Sequence, residues 1–214
     1  MCRYKQHTLF ACIFVYQFNM KKYFAFLFIT LFFSLAVVAQ KLQIEVNYIT
    51  ADASVTKPMI YYTPGTKLTW NDFKGKPVFT SEAAAITNAG IGFKMMFHSK
   101  DNVATLNISV DCNFSIADSW VKNNRKTPYI LNHEQHHFDI AYLHAMQFVQ
   151  NLRAAKYTMK DYSKTIEKIY NQTQQDLTTM QNDYDTETKN SQLAAEQELW
   201  NKKIDAKLTA FARQ

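Results

Sequence analysis

Two histidines and a glutamate near the middle of the chain have the types and spacing needed for a metal centre. His133, Glu134 and His137 form the pattern H-E-x-x-H. On a helix the two histidines, four residues apart, project from the same face, so their imidazoles can share one tetrahedral zinc ion. Glu134 then lies beside the open coordination position, where it can take a proton from a water molecule on the ion. The pattern therefore predicts zinc-dependent hydrolysis with Glu134 as the catalytic base.

The other nearby histidines are predicted not to bind the same ion. His144 lies seven residues beyond His137, which is about 10 Å along a straight helix and too far for a shared ion. No Gly or Pro lies between the two to break the helix. We interpret His136, which also shares a face with His133, and His98, on the polar face of a predicted strand, as bystanders.

A zinc site needs a third protein ligand, and the geometry of the chain indicates where it lies. If the chain reverses near residue 158, a following antiparallel helix brings residues 179–187 beside His133 and His137. This window contains three acidic residues, Asp183, Asp185 and Glu187. Each of the three is a candidate ligand.

A long helix must position this pattern, and two further helices are predicted after it. Thr127 is a favourable N-cap residue, and Pro128 suits the first helical position, where its missing N–H has no partner to lose. Helical spacing of apolar residues continues to about residue 156. The same spacing predicts helices over residues 160–184 and from about residue 191.

Three earlier segments alternate apolar and polar residues, as half-buried strands do; they are residues 42–48, 91–97 and 106–116. Asp101 and Asn102 lie between the last two, which predicts an antiparallel hairpin with a short loop. Strands followed by helices indicate an α+β fold: a small antiparallel sheet, then a bundle of long helices of which the first carries H-E-x-x-H. Residues 40–214 are predicted to form a single domain with a zincin-like α+β architecture.

Residues 1–39 are predicted to be a signal peptide with an upstream extension. Met20 begins a short basic segment, residues 23–38 form an apolar run, and Ala39 offers a small residue for cleavage. The run has 16 residues, fewer than the roughly 18 expected of a membrane span. We therefore expect Met20 to be the start and Gln40 to open the mature chain. The protein is then secreted or periplasmic, with no stable membrane span.

The charge of the predicted mature chain argues against a nucleic-acid partner. The whole sequence has 24 basic and 18 acidic residues, a formal net charge of +6. Four of the basic residues lie in the predicted leader and all of the acidic residues follow it, which leaves a net charge of +2. A chain this close to neutrality is not expected to offer a nucleic-acid-binding surface.

The segment around the histidines resembles the signature of a known bacterial family. Residues 131–141 read L-N-H-E-Q-H-H-F-D-I-A, similar to the H-E-Q-x-H-F-D-I-A signature of a family of unknown function whose members are predicted secreted zinc-dependent proteases. Four more segments resemble elements of that family in the same order: W-N-D-F-K-G at 70–75, S-W-V at 119–121, Y-D-T-E-T at 184–188 and Q-E-L-W at 197–200. The resemblance covers essentially the whole mature chain and implies a polypeptide substrate.

One position departs from the family pattern and leaves two readings of the third ligand. Where the family's T-x-H element implies a histidine after Thr188, this chain has Asn190. If that histidine is the family's third ligand, this chain lacks it; if the ligand is Asp185, this chain keeps it. We favour Asp185, because carboxylates commonly complete hydrolytic sites of two histidines. The predicted zinc ligands are thus His133, His137 and Asp185.

Two functions of different classes follow from these observations. The first is an exported zinc-dependent peptidase that hydrolyses peptide bonds through a metal-activated water. The alternative is a non-catalytic zinc-binding or scaffold protein of the cell envelope, a degenerate family member with Asn190 at the family's histidine position. Glu134 favours the first function, because a purely structural zinc site needs no general base.

Overall fold

The computed structural model of the chain describes residues 41–213, so the predicted leader and its cleavage site lie outside the described residues. Within the described residues, six strands precede three long helices. The α+β class predicted from the sequence is therefore confirmed. Among residues 41–213, no helix is long and apolar enough to cross a membrane.

The main sheet is built around the long strand β5 (Val103–Ser115). Its three partners are β1 (Lys41–Tyr48), β2 (Met59–Tyr61) and β4 (Ala89–Lys100). β1 and β2 lie along one edge of β5, and β4 pairs with nearly the whole of the other edge. Alternate residues of β5 from Ala104 to Phe114 are buried, which is the pattern of a sheet with one covered face.

The direction of β1 corrects the prediction of a purely antiparallel sheet. β1 runs parallel to β5, in a register from Lys41 opposite Val103 to Tyr48 opposite Val110. β2 and β4 are antiparallel to β5, so the sheet is mixed. Alternation along a strand shows that one face is buried, but it does not identify the neighbouring strand or its direction. The sequence pattern of β1 therefore predicted the strand correctly and its pairing wrongly.

The predicted hairpin between β4 and β5 is confirmed. Its two-residue loop consists of Asp101 and Asn102, which have φ angles of 49° and 64°. Positive φ at both central residues gives a turn whose twist matches that of the flanking strands, and Asp and Asn tolerate this conformation well. The short loop fixes the register in which Lys100 lies opposite Val103.

Three long helices follow the sheet: α1 (Pro128–Ala154), α2 (Tyr162–Thr188) and α3 (Ala194–Ala212). α1 packs on the main sheet, and both later helices pack against α1. Thr127 caps α1 as predicted, since its Oγ1 accepts the Ile130 N–H at 3.1 Å. The chain reverses over residues 155–161, so α2 runs back along α1.

Aromatic side chains join α1 to the main sheet. Phe114 of β5 packs against Phe138, with ring centroids 5.8 Å apart, and Phe93 of β4 packs against Phe148 at 5.5 Å. Burying one such ring stabilises the fold by about 1.5–3 kcal/mol. These contacts fix one face of α1 to the sheet, while His133 meets α2 from another face.

A second, two-stranded sheet consists of β3 (Ala85–Ile86) and β6 (Trp120–Val121), which are antiparallel. Ser119 fixes its position through two hydrogen bonds. The Ser119 Oγ accepts the Asn88 N–H at 2.9 Å, and the Ser119 carbonyl oxygen accepts the Gly75 N–H at 2.7 Å. A Cβ atom at Gly75 would lie 2.8 Å from that carbonyl oxygen, so the approach requires glycine.

Candidate metal centre

Two helices bring three metal-binding side chains together at one point. His133 and His137 lie one turn apart on α1, and Asp185 lies on α2 beside them. The Nε2 atoms of the two histidines are 3.1 Å apart, and each lies 3.1 Å from Asp185 Oδ1. The His133, His137 and Asp185 side chains are 4%, 12% and 39% exposed. This donor triangle, as we call the three atoms, could hold one metal ion.

The size of the donor triangle suits a divalent metal ion. Ligand atoms about 2.0–2.1 Å from a tetrahedral zinc ion lie about 3.3 Å from one another. Ligands at right angles in an octahedral site lie about 3.0 Å apart. The observed edges of 3.1 Å lie between these values. The choice of element therefore depends on the donors, two imidazole nitrogens and one carboxylate oxygen, and on the groups around them.

Gln181 of α2 fixes the ring of His137 from the side opposite the donor triangle. Its Nε2 donates to the backbone carbonyl oxygen of His137 at 2.9 Å, an atom that can only accept. Gln181 Oε1 therefore faces His137 Nδ1, to which it is hydrogen-bonded, and this Nδ1 must carry the proton. In the neutral ring, the Nε2 lone pair is then free for a metal ion.

Gln197 of α3 does the same for His133. Its Nε2 donates to Tyr184 Oη at 2.6 Å and to Asn201 Oδ1 at 3.1 Å. The remaining polar atom of the side chain, Gln197 Oε1, lies 2.9 Å from His133 Nδ1 and accepts a hydrogen bond from its N–H. Tyr184 also stacks on the His133 ring, with centroids 4.5 Å apart. All three helices therefore contribute to the orientation of the two histidines.

Removing the Gln181 amide is expected to weaken metal binding without unfolding the protein. Gln181→Met keeps the side-chain length but loses the acceptor for His137 Nδ1–H, so the ring is no longer held in one orientation and tautomer. We expect zinc affinity to fall by about 10- to 100-fold, measured by competition with a chromophoric chelator. Gln172→Met is the matched control, because Gln172 lies on the same helix, is exposed and donates its side-chain hydrogen bond to Asp176. Equal losses in both variants would contradict the role given to Gln181.

The charges of the donor triangle support one another. Burial alone would raise the pKa of the Asp185 carboxyl. When the Nε2 atoms of His133 and His137 carry a proton, as in doubly protonated rings, their hydrogen bonds to the carboxylate outweigh burial and hold that pKa well below its usual range. Burial lowers the pKa of His137. Its hydrogen bond with Asp185 and the charge of Glu134 raise that pKa by more than burial lowers it, so the net shift is upward. The carboxylate is thus ionised at neutral pH, as a metal ligand must be.

Glu134 lies next to His133 on α1, but its carboxyl group is not part of the donor triangle. The residue is 4% exposed, and its Oε2 has no hydrogen-bond partner among residues 41–213. Burial raises the pKa of the carboxyl, and the nearby His137 and His133 oppose this shift. A buried polar atom without a hydrogen-bond partner lowers the stability of the folded protein by roughly 1–3 kcal/mol or more. An unpaired carboxylate oxygen beside three metal-binding groups therefore needs a functional explanation.

The donor triangle and Glu134 open onto a cleft of about 210 Å³. One wall is the segment 83–87, whose Thr87 Oγ1 donates to the Glu134 carbonyl oxygen at 3.1 Å. Another wall is formed by the C-terminal part of α2 and the turn after it, with Gln181, Asp185, Asn190 and Ser191. Typical small-molecule pockets occupy about 300–1,000 Å³, so this cleft is smaller than most of them.

Of the three acidic residues in the predicted window, Asp185 alone reaches both histidines. Glu187 Oε2 instead accepts the Trp200 Nε1–H at 2.7 Å, which joins α2 to α3. Asp183 is exposed to solvent. The predicted ligand set and the predicted base thus lie together at one cleft, while their binding and catalytic roles stay predictions.

The other three histidines within residues 41–213 lie outside the donor triangle. His136 Nδ1 hydrogen-bonds to the Asn132 carbonyl oxygen at 2.7 Å, and His144 Nδ1 to that of Ile140 at 2.9 Å. Both are bonds to the preceding turn of α1. His98 is exposed on β4.

Two residues of the signature segment hold the fold rather than face the cleft. Gln135 Oε1 accepts the Leu68 N–H at 2.8 Å, and Gln135 Nε2 donates to Asp139 Oδ1 at 2.9 Å. The same Asp139 oxygen accepts the Tyr62 Oη–H at 2.7 Å. This buried network ties the segment 62–68 to α1, which accounts for part of the signature without catalysis.

Neither Gln181 nor Gln197 was predicted from the sequence to be a site residue. Gln181 lies four residues before Asp185 and therefore on the same face of α2. That spacing could have indicated a group beside the ligand. Gln197 opens the Q-E-L-W segment that resembles an element of the family, and this resemblance was the available signal.

Comparison with family models found a similarity in the central part of the chain. Residues 104–192 match the model of a family described as bacterial protein of unknown function (DUF922). The matched residues contain most of β5, all of α1 and α2, and thus the whole donor triangle. Similarity to a bacterial family of unknown function was predicted from the sequence, and this match supports it. Comparisons with curated proteins and with solved structures gave no match.

Proposed function

We propose that the protein is an exported zinc-dependent peptidase, with His133, His137 and Asp185 holding the ion and Glu134 acting as general base. The observation that carries the proposal is the buried, unpartnered Oε2 of Glu134 beside the donor triangle. A structural zinc site is closed by four protein ligands and needs no such group, whereas a hydrolytic site has three ligands and a base.

Zinc is the ion that this arrangement favours. Two neutral imidazoles and a carboxylate are the donors of known hydrolytic zinc sites, and both histidines have their Nε2 lone pairs turned to the donor triangle. When bound, the ion supplies Lewis-acid chemistry by acidifying water and polarising a carbonyl group.

Glu134 performs the proton transfers of the proposed reaction. Its carboxylate accepts a proton from the attacking water as the water oxygen bonds to the carbonyl carbon of the substrate. The same carboxyl then gives that proton to the leaving amine as the C–N bond breaks. Burial raises the pKa of Glu134, and a raised pKa makes the protonated carboxyl easier to form and retain until it is needed.

The edge of β3 supports a polypeptide substrate. β3 pairs with β6 along one edge, and Ala84 beside it accepts the Lys122 N–H at 2.9 Å. Alternate residues of an antiparallel strand direct their backbone N–H and C=O groups to opposite edges. Because Ala84 bonds toward β6, the backbone N–H and C=O of Ala85 point away from β6. The segment 83–87 lines the cleft and can pair with an extended peptide, which would then lie beside Glu134.

Metal analysis combined with a peptide library tests the proposal. Protein stripped with a chelator is reloaded separately with zinc, manganese or iron(II), its bound metal is measured by mass spectrometry, and it is incubated with a library of internally quenched peptides. We expect about one zinc per chain, and cleavage that the chelator abolishes and zinc restores. Zinc binding without any cleavage would favour the alternative, a non-catalytic zinc-binding or scaffold protein of the cell envelope.

Export is part of the proposal and is supported by the leader pattern over residues 20–39. It places the protein in the periplasm or outside the cell. N-terminal sequencing of the mature protein should give a start at or near Gln40, whereas an intact apolar run would indicate a membrane-anchored form.

A further inference from the structure

The turn after α2 has an uncommon backbone conformation. Lys189, Asn190 and Ser191 follow one another with φ angles of 47°, 49° and 67°. For residues other than glycine, the left-handed region costs roughly 1–2 kcal/mol each, and asparagine tolerates it better than most. Three such residues in a row are retained only where the surrounding structure holds them, and such strain is found at functional sites.

Hydrogen bonds tie this turn to the donor triangle. The Asn190 N–H donates to the backbone carbonyl oxygen of Asp185 at 2.8 Å, and the Leu193 N–H donates to that of Thr188 at 2.9 Å. Thr188 is itself buried and bonded through Oγ1 to the Tyr184 carbonyl oxygen. Because Asp185 supplies both a donor atom and this backbone anchor, the position of Asn190 relative to the donor triangle is fixed.

Asn190 is one of the residues that line the cleft with Glu134 and Asp185, and it is exposed to solvent. Within residues 41–213 its amide group makes no hydrogen bond. Its two N–H donors therefore remain available to a molecule in the cleft.

Asn190 is not needed as a metal ligand. His133, His137 and Asp185 already supply three donor atoms 3.1 Å from one another, and three protein ligands are the number found in catalytic zinc sites. A neutral carboxamide is also a weaker zinc ligand than imidazole or carboxylate. The amide is better suited to donate a hydrogen bond than to bind the ion.

We propose that Asn190 is a catalytic residue that donates an amide N–H to the carbonyl oxygen of the scissile peptide bond, a role that rests on the proposed peptidase function. When water adds to the carbonyl carbon, its proton passes to Glu134 and the C=O electron pair moves onto oxygen. Asn190 stabilises the negative charge that develops there. The charge is removed when the carbonyl re-forms, the C–N bond breaks and Glu134 protonates the amine.

A pair of glycine variants tests this role. Asn190→Gly removes the amide and relieves the left-handed backbone. Lys189→Gly makes the same backbone change at a φ of 47°, at a residue outside the cleft lining, and is the matched control. We expect Asn190→Gly to lower kcat on the order of 100-fold with little change in KM, and Lys189→Gly to leave both near wild type. Both variants should bind zinc with wild-type affinity.

A binding measurement separates this inference from the proposed function. A phosphinic peptide with the sequence of the best-cleaved library member imitates the tetrahedral carbon and its charged oxygen. Calorimetry should show that zinc-loaded Asn190→Gly binds it more weakly than wild type by about the factor lost from kcat, while Lys189→Gly binds it normally. If wild type cleaves and Asn190→Gly keeps full kcat and full phosphinic-peptide affinity, the role of Asn190 is refuted and the peptidase stands. Loss of zinc from Asn190→Gly would instead identify Asn190 as a metal ligand and would also refute its proposed role as a hydrogen-bond donor to the substrate. A wild type that neither cleaves peptides nor binds the phosphinic peptide refutes both.

Discussion

Glu134→Gln is expected to lower kcat by about a hundredfold or more while the protein keeps its zinc and its fold. Glutamine has the shape of glutamate but cannot accept the proton of the attacking water. The donor triangle does not include the Glu134 carboxyl, so the metal site keeps its three protein ligands. Single-turnover cleavage of the best library peptide, with zinc content and thermal unfolding measured on the same preparation, checks the result.

The matched control for this prediction is Glu167→Gln. Glu167 is an exposed glutamate on α2, so its variant makes the same change in net charge away from the cleft. It should retain wild-type turnover. If Glu134→Gln cleaves peptides as fast as Glu167→Gln, the H-E-x-x-H mechanism is wrong.

Alanine at any member of the donor triangle is expected to abolish stoichiometric zinc binding. Structural zinc sites of four ligands bind with a free energy of about 10–16 kcal/mol, so one ligand contributes roughly 2.5–4 kcal/mol, or about 70- to 900-fold in affinity. His133→Ala, His137→Ala and Asp185→Ala should therefore lose the ion during dialysis against a weak chelator. Wild type should retain about one zinc per chain, as measured by mass spectrometry of the metal.

His144→Ala is the control for the loss of a histidine from the same helix. His144 bonds to the carbonyl oxygen of Ile140 and lies outside the donor triangle, so this variant should keep its zinc. Asp185→Asn adds a finer test, because it preserves shape but replaces the carboxylate with a carboxamide. Equal metal content in all of these variants would refute the ligand assignment.

The central part of this site could be predicted from local sequence alone. The spacing of His133, Glu134 and His137 determines a shared helical face wherever the segment is helical. Thr127 and Pro128 marked the start of that helix correctly, because capping depends on residues within one turn. Asp185 needed one further assumption, an antiparallel return of the chain, which the structure bears out.

Other features depend on contacts between distant parts of the chain and could not be predicted in the same way. The parallel pairing of β1 with β5 is set by tertiary packing, and the alternation of Leu42 and Ile44 fits either direction. The orientation of Gln197 toward His133 depends on how α3 packs on α1. A glutamine carries no metal-ligand signal in a sequence, so the contact of Gln197 with His133 Nδ1 became visible only with the helices assembled.

The participation of α3 has a consequence for biosynthesis. A nascent chain completed through residue 192 contains both histidines and Asp185, but not Gln197, whose carbonyl group holds the proton on His133 Nδ1. At that stage the ring of His133 can exchange its tautomers freely, and the site cannot yet retain an ion with full affinity. Under the proposed function, full metal affinity would therefore depend on the docking of α3, a helix made after all three predicted ligands. The activity of the proposed hydrolase would then arise only once α3 has packed on α1.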